Sequence, residues 1–252
     1  MNQLDIFTGK DKTELAIEFI QTHEPPEGYF VGFSGGKDSV VLIDLVKRSK
    51  VKYEAYYSAT GIDPPEVVKF IRDNHPEVIF KRPPETFWAL LLKKPPPTKW
   101  RRWCCDKLKK RPTLRVPLKH RLMGIRSEES FKRASRPMID YYKGGQILFK
   151  PIFTWKEWEI WEYIEDRNLP YCSLYDEGFS RIGCVICPFL SGPNLAKTMR
   201  HKNRWPKQYL MFEKTMAKRF NLGRPDGSPW AEKTAEEFIL NWYLGKGVKP
   251  DK

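Results

Sequence analysis

YFVGFSGGKDS, residues 29–39, holds the strongest fold signal in this chain of 252 residues. Tyr29 to Phe33 form a short apolar run that predicts a buried strand. Residues 39–48 are rich in Val, Leu and Ile and predict a buried helix directly after the glycines. A strand that passes through a glycine turn into a helix is typical of the start of a βαβ unit. We therefore expect an α/β fold.

The segment Ser34–Ser39, between that strand and that helix, is a candidate phosphate site. A helix N-terminus presents unpaired N–H groups and the positive end of the helix dipole to an anion. Two glycines would let the backbone approach the phosphates, and Lys37 and the serine hydroxyls would add donors. Asp38 fits such a site if Mg²⁺ shares the phosphates. The spacing is not that of a Walker loop, and the plainer alternative is a glycine turn that caps a helix.

Strands and helices alternate around this segment, with proline-rich loops between them, which predicts a mostly parallel sheet flanked by helices. After Cys187 we expect helices from Pro206 to Gly223 and from Ser228 to Gly245. The domains are predicted as residues 1–190 and a helical C-terminal extension over residues 191–252. The other predicted helices are 12–22, 65–75 and 155–166, and the other predicted strands are 53–58, 78–80, 121–125 and 147–150.

The positive charge of the chain is concentrated in two segments. Lys and Arg number 45 against 31 Asp and Glu, a formal net charge of +14. Residues 93–121 hold twelve basic residues and one acid, and residues 197–224 hold nine and one. Such concentration predicts an anionic partner, with nucleic acid as the first candidate, whereas a lysine-rich surface that only keeps the protein soluble is the alternative.

Aromatic side chains alternate with this charge, as a surface that stacks nucleic-acid bases would require. Aromatic residues at helical spacing also commonly form a core, so both interpretations stay open for each of them. The residues concerned are Trp100, Trp103, Trp205, Tyr209 and Phe212.

No segment has the pattern of a membrane span or of a secretory signal. The longest apolar run, Phe87 to Leu92, has six residues, far fewer than a bilayer span needs. Met1 to Lys10 lack a basic region followed by an apolar run. We expect a cytoplasmic protein that does not bind a membrane.

The five cysteines favour a metal site over disulfides, since paired cysteines in a cytosolic enzyme usually bind metal. Cys104 and Cys105 are adjacent, and Cys184 and Cys187 form a C-x-x-C pair. Adjacent cysteines can each bind a different iron of a cluster and suit a single tetrahedral Zn²⁺ less naturally. An iron–sulfur cluster is therefore preferred, with zinc or no metal as alternatives.

Ser34–Ser39 resembles the PP-loop of the N-type ATP pyrophosphatase superfamily, whose members split ATP between its α and β phosphates. The superfamily includes tRNA-thiolating enzymes, GMP synthetases and sulfonucleotide reductases. The resemblance implies a Rossmann-like fold of the adenine nucleotide α-hydrolase type, and ATP with Mg²⁺ as ligands. The residues that would hold the phosphates are Ser34, Gly35, Gly36, Lys37, Asp38 and Ser39.

Four further segments resemble the PAPS-reductase branch of that superfamily, in the same order along the chain. They extend the resemblance over roughly residues 29–190. By the resemblance, Arg126 and Arg133 contact an anionic ligand; isolated arginines of this kind more often form surface ion pairs. The segments are Thr60–Glu66, Gly124–Arg133, Lys150–Trp161 and Leu174–Cys184.

The arrangement of Cys104, Cys105, Cys184 and Cys187 resembles the 4Fe–4S ligands of APS reductases and of DNA-phosphorothioation sulfurtransferases. The resemblance implies that these four residues hold a 4Fe–4S cluster. Cys172 stands outside the pattern, either as a small buried thiol or as part of a sulfur relay.

The chain departs from the reductases at one point that matters for function. Those enzymes carry a nucleophilic cysteine in a C-terminal tail, and here no cysteine follows Cys187. On this ground we expect an ATP-dependent sulfurtransferase that adenylates and thiolates DNA or tRNA. A donor such as a cysteine desulfurase would supply the sulfur. Asp38 and Lys37 would position metal and phosphates, while Arg126 would stabilise developing charge.

Two alternatives remain: a sulfonucleotide (PAPS or APS) reductase-like protein, or a nucleotide-binding subunit of a larger complex. The aromatic-rich C-terminal helices could form the interface of a homodimer.

Overall fold

A computed structural model describes residues 9–142, 144–190, 195–224 and 226–246. The expectation of no secretory pattern in residues 1–10 falls mostly outside these ranges, as does the chain after residue 246. Among the described residues, no helix has both the length and the apolar character that a membrane span requires.

Six strands form one sheet, in the order β3-β2-β1-β4-β6-β5. Their bounds are β1 Tyr29–Gly32, β2 Tyr53–Ser58, β3 Ile79–Lys81, β4 His120–Met123, β5 Ile139–Tyr142 and β6 Gln146–Phe149. The pairs β1–β2, β1–β4 and β4–β6 are parallel, and β5 runs antiparallel to β6. The predicted α/β fold with a mostly parallel, Rossmann-like sheet is confirmed. The edge strand β5 was not predicted; Gly144 and Gly145, both at positive φ, lie in the turn that joins it to β6.

In the described ranges, ten α-helices accompany the sheet. They are α1 Lys12–Thr22, α2 Lys37–Ser49, α3 Pro65–Asn74, α4 Phe87–Lys93, α5 Arg111–Leu114, α6 Phe131–Ala134, α7 Glu157–Asp166, α8 Leu195–Arg204, α9 Pro206–Asn221 and α10 Ala235–Tyr243. A short wide-turn π-helix spans Cys105–Lys110, and 3₁₀ turns span Ser127–Glu129 and Ser173–Tyr175.

Helix α2 is buried, as the sequence predicts. Its apolar residues from Val40 to Val46 are almost completely buried. An α-helix that is apolar on every side belongs in a protein interior. Helices α1 and α7 pack against it and β4 also contacts it, so the N-terminus of α2 is fixed at the end of β1.

The last helix begins later than the sequence suggested. Helix α10 starts at Ala235, after Thr234, whose hydroxyl accepts the N–H of Glu237 at 3.2 Å. Ser228, the predicted start, instead donates its hydroxyl to Asp226 at 2.6 Å in a local turn. Competition from short polar side chains explains the error, because such side chains favour caps and turns equally. Helices α4 and α8 and the wide-turn helix were not predicted.

The chain divides into two compact units that do not follow the sequence order. The described residues of the first unit fall within 1–57, 65–81 and 113–182, and those of the second within 58–64, 82–112 and 183–252. The predicted domain boundary at residue 190 stays a prediction.

The second unit has its own aromatic core and brings parts of the two basic segments together. The rings of Phe87 and Phe212 lie 6.4 Å apart, and Phe212 packs on Trp242 at 4.6 Å. The Nε of the buried Arg219 donates to the carbonyl of Lys94 at 3.2 Å. Helix α9, from the second basic segment, is thereby held against the start of the first.

Candidate functional site

The candidate phosphate loop, Ser34–Ser39 between β1 and α2, requires glycine at Gly35. Its φ is +74°, and a Cβ there would lie 2.8 Å from Cγ1 of Val67. Any other residue would be strained in the backbone and crowded against α3. Gly124 permits a similar close approach, since a Cβ on it would lie 2.9 Å from the carbonyl oxygen of Asp38.

The two serines hold the loop in shape. Ser39 Oγ donates to the carbonyl of Gly36 at 2.7 Å and accepts the N–H of Ser34 at 3.2 Å. Ser34 Oγ in turn accepts the N–H of Gly36 at 3.3 Å. The loop is thus closed by its own side chains.

Lys37 is buried beneath the loop with several acceptors around it. Its Nζ lies 3.3 Å from Oε1 of Glu157 and 3.7 Å from Oδ2 of Asp38, and it donates to the carbonyl of Ser180 at 3.4 Å. The backbone N–H of Lys37 donates to Tyr175 Oη at 2.9 Å. A phenol oxygen therefore occupies a donor of the helix N-terminus that a phosphate would use.

Asp38, in the first turn of α2, and Arg126, three residues after the end of β4, form a tight ion pair. Arg126 Nε lies 2.5 Å from Oδ1 of Asp38, and Nη1 lies 2.8 Å from Oε2 of Glu128. Arg126 is only 3% exposed. A guanidinium held between two carboxylates is fixed in place and aimed beside the phosphate loop.

Arg133 and Arg181 add positive charge to the same region. Arg133 forms an ion pair with Glu129. Burial lowers the pKa of Arg133, and the neighbouring charges of Arg181 and Arg126 lower it further, while Asp38 acts in the opposite direction. An anion that entered here would relieve the repulsion among the arginines.

Four of the five cysteines, Cys104, Cys105, Cys184 and Cys187, lie near one another in the second unit. The thiol of Cys104 interacts electrostatically with those of Cys105, Cys184 and Cys187. The wide-turn helix Cys105–Lys110 positions the first pair. The N–H of Val185, between the second pair, donates to the carbonyl of Ile62 at 2.8 Å.

The thiols differ in acidity because their surroundings differ. A hydrogen bond with Cys104, aided by Arg102, lowers the pKa of Cys105 to about 5. The same bond together with burial raises the pKa of Cys104. Burial raises the pKa of Cys184 and raises that of Cys187 to about 11. The hydrogen bond between the two thiols thus favours a thiolate at Cys105 and a protonated thiol at Cys104.

Lys109 is the main counter-charge of this cysteine cluster. Electrostatic attraction to Cys184 raises the pKa of Lys109, and Asp63 adds to the effect. Thr60 Oγ1 lies 3.9 Å from Cys184 Sγ and 2.8 Å from Oδ1 of Asp63. The segment Thr60–Glu66, singled out in the sequence, therefore supplies polar groups to the cysteine cluster.

The donor set fits an iron–sulfur cluster. Thiolates are the ligands that such clusters take, and the cations Arg102 and Lys109 offset their charge. Across the described ranges, no three or more His, Cys, Asp or Glu side chains form a group that could hold a metal ion as they stand.

Cys172 belongs to the first unit and is buried at the start of the 3₁₀ turn Ser173–Tyr175. Burial raises its pKa, so it has the character of a structural thiol.

A family model of the phosphoadenosine phosphosulfate reductase domain matches residues 28–190. The chain belongs to the phosphoadenosine phosphosulfate reductase family. The matched segment runs from the start of β1 to just beyond the second cysteine pair and agrees with the extent of the resemblance seen in the sequence.

Among relatives of this family member, an adenosine 5'-phosphosulfate reductase of Staphylococcus epidermidis is 29% identical over 203 residues, covering 74% of this chain and 81% of the relative. An uncharacterized protein of Methanocaldococcus jannaschii is 32% identical over 225 residues, covering 82% of this chain. This chain spans only 46% of that relative's length.

The fold is shared with a solved relative. A phosphoadenylyl-sulfate reductase of Candida auris superposes with a TM-score of 0.55 at 20% identity, over 69% of this chain and 88% of that one. The likeness supports the Rossmann-like architecture deduced from the sheet.

The structure groups the predicted residues into two sets. The loop Ser34–Ser39, Arg126 and Arg133 lie in the first unit, and the four cysteines lie in the second. Sequence reasoning missed Tyr175 and Glu157, which touch Lys37, and Lys109 beside Cys184. Tyr175 lies in a segment already noted for its resemblance, whereas nothing in the local sequence marks Glu157.

Proposed function

We propose that this family member is an ATP-dependent sulfurtransferase that adenylates and thiolates a nucleic acid, with a 4Fe–4S cluster held by Cys104, Cys105, Cys184 and Cys187. The observation that carries the proposal is the gathering of four thiols from two distant segments in a unit that also holds most of both basic segments. A polyanion is the ligand that such a basic surface would attract.

In the first step, ATP with Mg²⁺ binds at the phosphate loop. An oxygen of DNA or tRNA attacks the α-phosphorus, the bond to the β-phosphate breaks, and pyrophosphate leaves. Lys37 holds the departing phosphates, and Arg126, fixed by Asp38, faces the charge that develops. Because Asp38 already pairs with Arg126, its main role is to position that arginine. Asp38 would also be available as an oxygen ligand for Mg²⁺ brought in with the nucleotide.

In the second step, sulfur from a donor such as a cysteine desulfurase displaces AMP. A bond forms between sulfur and the atom that carried the activated oxygen, and AMP leaves with that oxygen. Where the donor is a persulfide, the mixed disulfide left behind is cleaved by an added thiol. A bound 4Fe–4S cluster would supply a binding site for sulfur or a store of electrons.

A second candidate, a sulfonucleotide reductase, is favoured by the family match and by the 29% identity to an adenosine 5'-phosphosulfate reductase. In that case the arginines around the phosphate loop would bind the sulfonucleotide itself.

One pair of reactions separates the two candidates. Anaerobic protein is incubated with ATP, Mg²⁺, a sulfide source and either tRNA or DNA, and AMP and thionucleosides are measured by mass spectrometry. A parallel reaction offers APS or PAPS with a thiol and measures sulfite. AMP with a thionucleoside supports the sulfurtransferase. Sulfite release without either product overturns it in favour of the reductase.

A further inference from the structure

The aromatic residues of the basic segments separate into core and surface. Trp205, Tyr209 and Phe212 are buried, so they belong to the core of the second unit. Trp103 is half-buried, stacks on Phe87 at 5.7 Å and donates its Nε1 to the carbonyl of Pro95 at 2.9 Å. Trp100 alone of the five is exposed, with 68% of its surface accessible.

Trp100 is held at the surface by a closed turn. The hydroxyl of Thr98 accepts the N–H of Arg101 at 2.9 Å, and the N–H of Thr98 donates to the carbonyl of Arg101 at 3.2 Å. The anchored Trp103 lies three residues after Trp100 in the sequence. The indole of Trp100 is therefore displayed by a fixed backbone, which limits the entropy lost when a ligand stacks on it.

Basic residues are adjacent to the displayed ring along the chain. Lys99 and Arg101 flank it in sequence, and neither forms an ion pair with a carboxylate in the part of the chain that the structure describes. Arg102 lies over the ring of Phe189 at 4.7 Å. A large exposed aromatic ring between cations suits a ligand that has both a flat π-face and negative charge.

We propose that Trp100 is a base-stacking platform for an unpaired nucleotide of a nucleic-acid substrate, with Lys99 and Arg101 on the flanking phosphates. The inference rests on the proposed nucleic-acid substrate and narrows it to strands with unpaired bases. A base in a duplex is stacked between its neighbours and leaves no face for the indole, so single-stranded DNA or an RNA loop is the ligand.

The chain contains a matched control. Trp158 is similarly exposed, at 59%, but lies on α7, whose charged residues are all acidic. Replacement of Trp158 removes an exposed indole of the same size from an acidic helix.

The test measures binding without ATP or turnover. Labelled single-stranded RNA, single-stranded DNA and duplex DNA of about 16 nucleotides are titrated with full-length wild-type protein, Trp100→Ala, Trp100→Phe and Trp158→Ala, and anisotropy is recorded at several salt concentrations. For single strands, Trp100→Ala is expected to weaken binding about tenfold, since one base–aromatic stack is lost. Trp100→Phe should retain most of the affinity, and Trp158→Ala should stay within about twofold.

The salt dependence distinguishes stacking from charge. Trp100→Ala should leave the slope of log K against log salt unchanged, whereas Lys99→Gln or Arg101→Gln should reduce its magnitude by about one. The RNA and DNA arms show which single strand is preferred. Equal affinity of Trp100→Ala and wild-type protein for single strands, or no binding by wild-type protein, overturns the inference. Binding as expected without any thionucleoside product would instead overturn the proposed function and leave the stacking role intact.

Discussion

The phosphate loop and the cysteine cluster are built by different means. The loop comes from six consecutive residues, is closed by its own serine hydrogen bonds and has its charges paired by Arg126 and Glu157. The cluster comes from segments about eighty residues apart, and its thiols differ widely in pKa. The loop therefore holds its shape without a ligand, whereas the thiols reach a common charge state only when a metal replaces their protons.

The largest expected effect is a loss of bound iron from the cysteine cluster with ATP binding unchanged. Cys184→Ser should lose nearly all bound iron and acid-labile sulfide, because it removes one of four ligands. ATP affinity should stay within about twofold, which corresponds to about 0.4 kcal/mol, because the phosphate loop belongs to the first unit and Cys184 to the second. Anaerobic preparations are assayed for iron, sulfide and ATP binding, with Cys172→Ser as the control that retains iron. Full iron in Cys184→Ser would show that the four thiols are not the ligands.

The next effect is on the loop alone. Asp38→Asn should slow pyrophosphate release by about a hundredfold to a thousandfold, because Arg126 loses its fixed orientation. Iron content should not change. Asp73→Asn, which removes a surface ion pair with Lys69 on α3, is the control and should be near wild-type. Unchanged pyrophosphate release in Asp38→Asn would remove Asp38 from the active site.

The third prediction concerns the uneven acidity of the thiols. In metal-free protein at pH 7, Cys105, with a pKa of about 5, should react with iodoacetamide at least about tenfold faster than Cys187, with a pKa of about 11. Peptide mass spectrometry over time gives both rates. Equal rates would mean that Cys104 and Arg102 do not stabilise the Cys105 thiolate.

The same shift has a consequence for stability. The folded pKa of Cys105 lies below its unfolded value, so its contribution is complete above about pH 8.5 and is lost as the pH falls towards 5. Denaturant unfolding of metal-free protein should show this loss between those two values. Cys105→Ser should flatten the change, and a Cys105→Ser profile that matches wild-type protein would contradict the assignment.

The smallest expected effect concerns Tyr175. Tyr175→Phe removes the acceptor of the Lys37 N–H and frees that donor for a phosphate oxygen, so ATP affinity should rise by about twofold to tenfold. Calorimetry of ATP binding measures it. Tyr171→Phe is the control, because Tyr171 lies in the same aromatic group beside Trp161 but bonds to Asp176. Weaker ATP binding by Tyr175→Phe would make the hydroxyl a phosphate ligand rather than a competitor.

Much of the first unit could be predicted from the sequence, because its signals are local. Helix α1 runs from Lys12 to Thr22 as predicted, started by an Asp11–Glu14 capping box, and β2 keeps its predicted bounds. The second unit was predicted less well. The wide-turn helix Cys105–Lys110 has no simple periodicity, and the polar residues before α10 fit a turn and a cap equally well.

The candidate site likewise has features that the local sequence predicts and features that depend on the tertiary structure. The phosphate-binding role proposed for Ser34–Ser39 was predicted from neighbouring residues, because a strand, two glycines and a helix place backbone donors at one point. The pairing of Asp38 with Arg126, 88 residues away, and of Lys37 with Tyr175, 138 residues away, depends on how the strands are ordered in the sheet. No local pattern contains that order.

The sequence by itself determined the α/β class, the phosphate loop and the presence of two cysteine pairs, since each depends on periodicity or on the chemistry of adjacent residues. Only the tertiary structure decided that the four thiols share one environment with Lys109, that Arg126 is held by Asp38, and that Trp100 is exposed while Trp205 is buried. The physical reason is that burial and long-range pairing depend on the whole path of the chain, which local propensities do not specify.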